Sequence, residues 1–325
     1  MSPARRPKRS PTPAPAPPPP PDGLPLPGSE HRHPPLGIGL WGLGRWDHAS
    51  EERTRQVVER AFERHVGWFD TAEVYGGGRS ERILGDALAR LDPTRPAPFV
   101  STKVSWEHLQ PAQVRASMTG SLQRLGQSSV DLYLVHAPDA HRPIGPTMTT
   151  MAELLAEGKT RAIGVSNFGR SELEAAIAAV PGTKLAVNQL RYNLLDHEEA
   201  DAVLPTARAH GIVLEAYSPI ARGLLAGRYL GSGPVPPEVR RFAHSTLGED
   251  RFAEVVARAK RIRAIAKAAE VPMMSIALHW LARRGAAPIV GASKPAQVDE
   301  ILAAWAVHPA DRVLDEAEAA STGTR

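Results

Sequence analysis

Four side chains that can hold or pass a proton follow one another along the chain: Asp70, Tyr75, Lys103 and His136. A carboxylate, a phenol, an ammonium and an imidazole gathered at one place can relay a proton to a reacting oxygen, and a lysine among them can equally attack a carbonyl as a nucleophile. Singly, each has an ordinary explanation: a strand-end Asp often caps a helix, and a lone Lys or His usually sits at the surface or packs. Their places make them a candidate centre. Asp70 ends one short apolar run with Tyr75 just beyond it, Lys103 ends the next run, and His136 ends the one after.

The elements that must position them are visible in the pattern around them. After Leu36 the chain repeats a short apolar run followed by a longer amphipathic segment, the mark of consecutive strand and helix units. The runs are 37–41, 68–72, 99–103, 131–136, 161–166, 185–190, 212–217 and 288–291. Eight of them predict a single-domain α/β protein, a closed (β/α)8 TIM barrel, in which side chains at the carboxyl ends of successive strands converge on one mouth. Helices are predicted over 51–66, 80–91, 111–125, 147–157, 171–180, 198–210, 251–269, 272–284 and 295–304. Ser80, Ser171 and Pro111 act as start signals among them, since Ser caps free amides and Pro tolerates the first turn. Residues 218–250 break the rhythm as a long Gly- and Pro-rich loop, a type of segment that is often functional.

Several of these runs carry a recognisable pattern. Gly67-Trp68-Phe69-Asp70-Thr71-Ala72-Glu73-Val74-Tyr75-Gly76, closing with Ser80-Glu81 and Leu84-Gly85, resembles the signature of the aldo-keto reductase family. So do Ser101-Thr102-Lys103, Asp131-Leu132-Tyr133-Leu134-Val135-His136, Gly164-Val165-Ser166-Asn167-Phe168 and Ala216-Tyr217-Ser218-Pro219. The resemblance runs from about residue 36 to residue 305, and is nearest to the longer microbial members, which are similar to the β subunits of voltage-gated potassium channels. It implies reduction of an aldehyde or ketone to an alcohol by hydride transfer, with Tyr75 giving the proton. His136 would orient the carbonyl oxygen, and Asp70 would hold Lys103 charged. A lysine ammonium about 4 Å from a phenol, at an effective dielectric near 20, is worth roughly 4 kcal/mol, or about three pKa units. The expectation is therefore that Lys103 makes Tyr75 more acidic.

No Gly-x-Gly-x-x-Gly follows a strand, so a doubly wound dinucleotide domain is not indicated. The resemblance implies a cofactor extended across the barrel mouth instead. Ser166, Asn167 and Gln189 would meet the nicotinamide carboxamide, and Tyr217 would stack on its ring. The loop opening Ser218-Pro219, with Arg222, would cover the pyrophosphate. Ser293, Lys294 and Gln297 would meet the adenosine ribose phosphate at a helix start, a ready anion site, and Gly291 and Glu300 would be further cofactor contacts. One cation there favours NADPH/NADP+ over NADH. Relatives often carry an arginine where Gln297 stands and an asparagine where Ile301 stands. Trp41 and Trp106 are candidate walls of the substrate pocket.

Composition narrows the remaining classes. With no cysteine, a disulfide scaffold, a thiolate nucleophile and a Cys-ligated metal are excluded; no metal site is expected. Three of the four net positive charges lie in residues 1–28, so the basic balance belongs to the tail and gives no sign of a nucleic-acid partner. That tail holds 12 of the 31 prolines, which removes ladder donors, so 1–35 is expected to be disordered and the barrel to occupy 36–325. Prolines also stand where a secretory signal needs an apolar stretch, and no apolar run approaches the roughly 20 residues of a bilayer crossing. A cytoplasmic protein with a small carbonyl substrate and no membrane partner is the expectation. Two other classes stay open: a nucleotide-sensing regulatory subunit similar to the channel β subunits, and a Schiff-base aldolase or lyase with Lys103 as nucleophile.

Overall fold

A computed structural model of the chain describes residues 23–26, 30, 32–41, 48–91, 94, 96–231, 233, 235–237, 239–240 and 252–322. A two-stranded antiparallel hairpin, β1 (Leu24–Pro25) and β2 (Arg32–His33), comes first. Eight parallel strands then close into a barrel: β3 (Gly37–Gly39), β4 (Trp68–Asp70), β5 (Phe99–Val104), β6 (Leu132–Val135), β7 (Ile163–Ser166), β8 (Val187–Arg191), β9 (Val213–Tyr217) and β10 (Ala286–Gly291). The ring is completed by β10 pairing with β3, with Val290 opposite Ile38. Between strands run α1 (His48–Glu63), α2 (Arg79–Leu88), α3 (Pro111–Leu125), α4 (Gly145–Ala156), α5 (Arg170–Ala179) and α6 (Glu198–Ala209). After β9 come a 3-10 segment (Ala221–Ala226), α7 (Phe252–Ala268) and α8 (Met273–Arg283); α9 (Pro295–Ala306) and α10 (Asp311–Ser321) follow β10.

The two-residue period of the strands divides the apolar side chains into two cores. Phe69, Val100, Tyr133, Val135, Ile163, Val165 and Val290 face outward and pack with the helices. Trp68, Phe99, Leu132, Leu134, Val187, Val213 and Ile289 fill the lower barrel interior. At Gly37 a Cβ would lie 2.3 Å from the Trp68 ring, so only glycine lets that indole fill the barrel. Counting on by twos from the interior residues, Asp70, Ser101, Lys103, His136, Ser166, Gln189, Glu215 and Tyr217 also face inward, one layer or two above the apolar fill. The strand parity that buries the lower core thus delivers the polar groups to the mouth.

Two expectations need correction. The chain is already ordered at residue 23, not at 36: β1 and β2 close the bottom of the barrel, with Leu26 in the inner core and His33 fully buried. Two-residue strands show no periodicity, which is why this hairpin is silent in the sequence; residues 1–22, 27–29 and 31 of the expected tail lie outside the described residues. Helix α10 has no counterpart among the predicted elements, and it buries Val313, Leu314 and Ala317 against α7 and α8. In the 218–250 loop, residues 232, 234, 238 and 241–250 lie outside the described residues, as does Arg251 at the predicted start of α7.

Candidate active site

The carboxyl ends of the strands surround a cavity of about 700 Å³. Its floor is a buried polar cluster. Asp70, the last residue of β4, accepts both of its short contacts from Lys103 Nζ at 2.7 Å, one from Ser101 Oγ at 3.0 Å and one from Gln189 Nε2 at 3.0 Å. Lys103 is fully buried, and its ammonium also donates to the Thr71 carbonyl at 2.8 Å and to the Tyr75 hydroxyl at 3.4 Å. The three protons of the ammonium are matched to Asp70, Thr71 and Tyr75. The phenol oxygen therefore accepts from Lys103, and its own O–H is left to point toward the cavity, which Tyr75 lines.

Electrostatics refine this picture. Burial pulls the Lys103 ammonium down, but Asp70 and then Tyr75 more than offset it, and its pKa ends above the ordinary lysine value. Tyr75 is pushed up to about 12: burial raises it most, Lys103 lowers it, and Asp70 raises it again. The expectation that Lys103 leaves the phenol more acidic is thus corrected. Its pull has the expected sign, but the ammonium is already neutralised by Asp70, so burial of the phenolate wins. His136 is pulled down to about 3, first by burial and then by the Lys103 charge, so its imidazole is neutral throughout the physiological range. Its ring lies edge-on to Tyr75 and to Trp106, with centroids at 5.5 and 5.6 Å, and its buried Nδ1 has no hydrogen-bond partner among the described residues.

The other predicted residues divide into those on the cavity wall and those off it. Ser166, Asn167, Gln189, Tyr217, Ser218, Pro219, Arg222, Gly291, Ser293 and Gln297 line the cavity, as do Trp41 and Trp106, which are 38% and 45% exposed. Arg222 stacks over the Trp41 ring at 4.6 Å. Asn167 is cross-braced: its Nδ2 donates to the His136 carbonyl at 2.9 Å, and its Oδ1 accepts from Tyr217 O–H at 2.8 Å. That bracing holds Asn167 at a φ of 59°, and Ser218, Ala221 and Arg222 are also left-handed at 55°, 46° and 52°. Such non-glycine backbone costs about 1–3 kcal/mol per residue and persists where a site is built around it. Lys294 and Glu300 are not on the wall. Lys294 is exposed at the residue preceding α9, and Glu300 is exposed and binds the Arg228 guanidinium at 2.7 Å. The Gln297 side chain turns back to accept from Ser293 N and Oγ at 2.7 and 3.1 Å.

Sequence reasoning missed Ser101 and Glu215, both fully buried beneath the cavity, and the wall residues Arg228 and Tyr229. Ser101 and Glu215 had a legible signal, a polar residue at an inward parity within an apolar run. Arg228 and Tyr229 sit in an irregular segment that carries no such marker.

A profile of the Aldo/keto reductase family matches residues 35–321. The chain belongs to the aldo/keto reductase family. Its relatives include the aldo-keto reductase YhdN of Bacillus subtilis, 30% identical over 292 residues, which cover 85% of this chain and 87% of that protein. The NADH-specific methylglyoxal reductase of Escherichia coli is 28% identical, with 89% and 94% covered. Among solved structures, the glycerol dehydrogenase AKR11B4 of Gluconobacter oxydans superposes with a TM-score of 0.79 at 26% identity, covering 92% of this chain and 94% of that one. The closed barrel of eight parallel strands is the fold of an oxidoreductase of this family.

Proposed function

We propose that the protein reduces aldehyde or ketone carbonyls to alcohols with a nicotinamide cofactor, NADPH in preference to NADH, and that Tyr75 is the proton donor. One observation carries this reading: Lys103 donates to the phenol oxygen, so the only proton Tyr75 can give points at the cavity. The residues present fit a nicotinamide nucleotide. Amides at Asn167 and Gln189, the Tyr217 ring and the Ser293 end of the wall line one continuous cavity. When bound, the reduced nicotinamide supplies the hydride. A carbonyl oxygen between Tyr75 and His136 then meets a phenol O–H and a neutral imidazole, and a developing alkoxide takes the phenol's proton. An alkoxide is far more basic than even a phenolate with a pKa about 12, so the transfer is downhill. Lys103 holds the phenolate left behind until water returns a proton. Lys103 is a poor Schiff-base nucleophile here, because its raised pKa and its contact with Asp70 keep it an ammonium.

The pH behaviour follows with a definite sign. Donation needs the phenol protonated, which holds below its pKa and is lost only as pH rises through about 12. His136 gains charge only as pH falls toward about 3. Reduction is therefore expected to keep a flat kcat from about pH 6 to about pH 9, while alcohol oxidation, which needs the phenolate, climbs over the same range. Steady-state NADPH absorbance with a panel of aldehydes, diketones and keto sugars tests both statements. A tenfold fall of reduction within that window would remove Tyr75 as donor.

The preference for NADPH rests on Lys294, exposed beside the wall residue Ser293 at the start of α9, where a phosphate gains from a cation and from free helix amides. Lys294→Ala is expected to weaken NADPH binding about fivefold, the worth of about 1 kcal/mol, and to leave NADH binding unchanged. Equal loss for both nucleotides in a fluorescence titration would take the phosphate away from Lys294.

A further inference from the structure

The bottom of the barrel is wired to its mouth. His33, on β2 of the N-terminal hairpin, is fully buried and packs edge-on against Trp68 and tilted against Phe99, with centroids at 4.3 and 5.1 Å. Its Nδ1 lies 2.7 Å from the Pro34 carbonyl, which only accepts, so Nδ1 carries a proton. Its Nε2 lies 2.7 Å from Glu215 Oε1 on β9. The other Glu215 oxygen accepts from Gln189 Nε2 at 2.6 Å, and the same Nε2 donates to Asp70 at 3.0 Å. With a carboxylate on each of its two sides, the Gln189 nitrogen must face inward and its carbonyl oxygen must face away from them. A single run of hydrogen bonds thus passes from His33 through Glu215, Gln189, Asp70 and Lys103 to Tyr75, along the barrel axis.

We propose that His33 and Glu215 are positioning residues of the reaction: they clamp the Gln189 amide in the orientation the nicotinamide meets and steady Asp70 beneath Lys103. The inference rests on the reductase reading above for its effect on turnover, and on nucleotide binding alone for its effect on Gln189. Neither residue touches the cavity, so both act through Gln189. The hairpin that supplies His33 is then a part of the active site, and not merely a plug.

Two variants of the full-length chain separate positioning from packing. In Glu215→Gln every bond can be remade: the new carbonyl accepts from Gln189 and the new amide donates to His33. In the double variant His33→Phe with Glu215→Leu, apolar side chains replace the buried pair, an exchange that is often neutral for stability, and the Gln189 amide is left with Asp70 on one side and no carboxylate on the other. The double variant is expected to melt near the wild-type temperature yet bind NADPH about tenfold more weakly, by quenching of tryptophan fluorescence. It should turn over about tenfold more slowly, with the KM for the carbonyl substrate within about twofold. Glu215→Gln should recover both parameters to within about threefold. A folded double variant with wild-type NADPH affinity and wild-type kcat overturns the proposal. If wild-type protein binds NADPH but oxidises it with no carbonyl, the reductase reading fails, and the affinity comparison still decides the clamp. Should the double variant not fold, nitrogen-15 spectra of the His33 imidazole in wild-type protein decide instead: a shift on saturation with NADPH supports the coupling, and no shift overturns it.

Discussion

Tyr75→Phe is expected to bind NADPH with an affinity within about twofold of wild type and to lose about 10³-fold in kcat for carbonyl reduction. The substitution removes one oxygen and leaves the ring, its edge contact with His136 and the cavity wall in place. It leaves Asp70, with Ser101 and Gln189 upon it, and the Thr71 carbonyl untouched, so the cluster keeps its charge balance and loses one hydrogen bond, the 3.4 Å contact from Lys103 to the phenol oxygen. What disappears is the only cavity-facing acidic proton of the cluster. Nucleotide titration and single-turnover reduction, measured on the same preparation, separate the two effects. Near-normal turnover in this variant would show that another group, with water or His136 the first to consider, gives the proton.

Lys103→Met is expected to lose activity and stability together. The ammonium is fully buried and is the main partner of Asp70, so its removal leaves a carboxylate in the barrel interior with only Ser101 and Gln189 to solvate it. Breaking a buried pair from one side typically costs about 3–5 kcal/mol. Since the folded lysine's pKa is raised, its contribution is fully present at neutral pH and fades only in alkali above the ordinary lysine value. Denaturant melts of wild type and variant should therefore differ most at neutral pH and converge as pH rises. Asp70→Asn combined with Lys103→Met removes both charges, and it should regain most of the stability while staying inactive. Full stability in the single variant would mean that Asp70 does not depend on Lys103.

The strand-helix alternation, and the polar groups Asp70, Lys103, His136, Ser166, Gln189 and Tyr217 at or near the ends of their apolar runs, were readable because burial on both faces leaves apolar runs in which such exceptions stand out. Departures occur where information is not local. His33 and Glu215 are 182 residues apart, and no spacing relates them. Glu300 lies one α9 turn from the wall residue Gln297, but it does not line the cavity and pairs instead with Arg228, which only the fold brings there.

The sequence alone determined the number of barrel strands and which titratable residue types stand toward their carboxyl ends, since parity and residue type are properties of neighbours along the chain. Closure of the barrel decided the rest: that Tyr75 is held more basic than an ordinary phenol, and that His33, in the expected tail, reaches Glu215 beneath the polar cluster. Desolvation and long-range pairing depend on what surrounds a group in space, and that surrounding exists only once the ring of strands is complete.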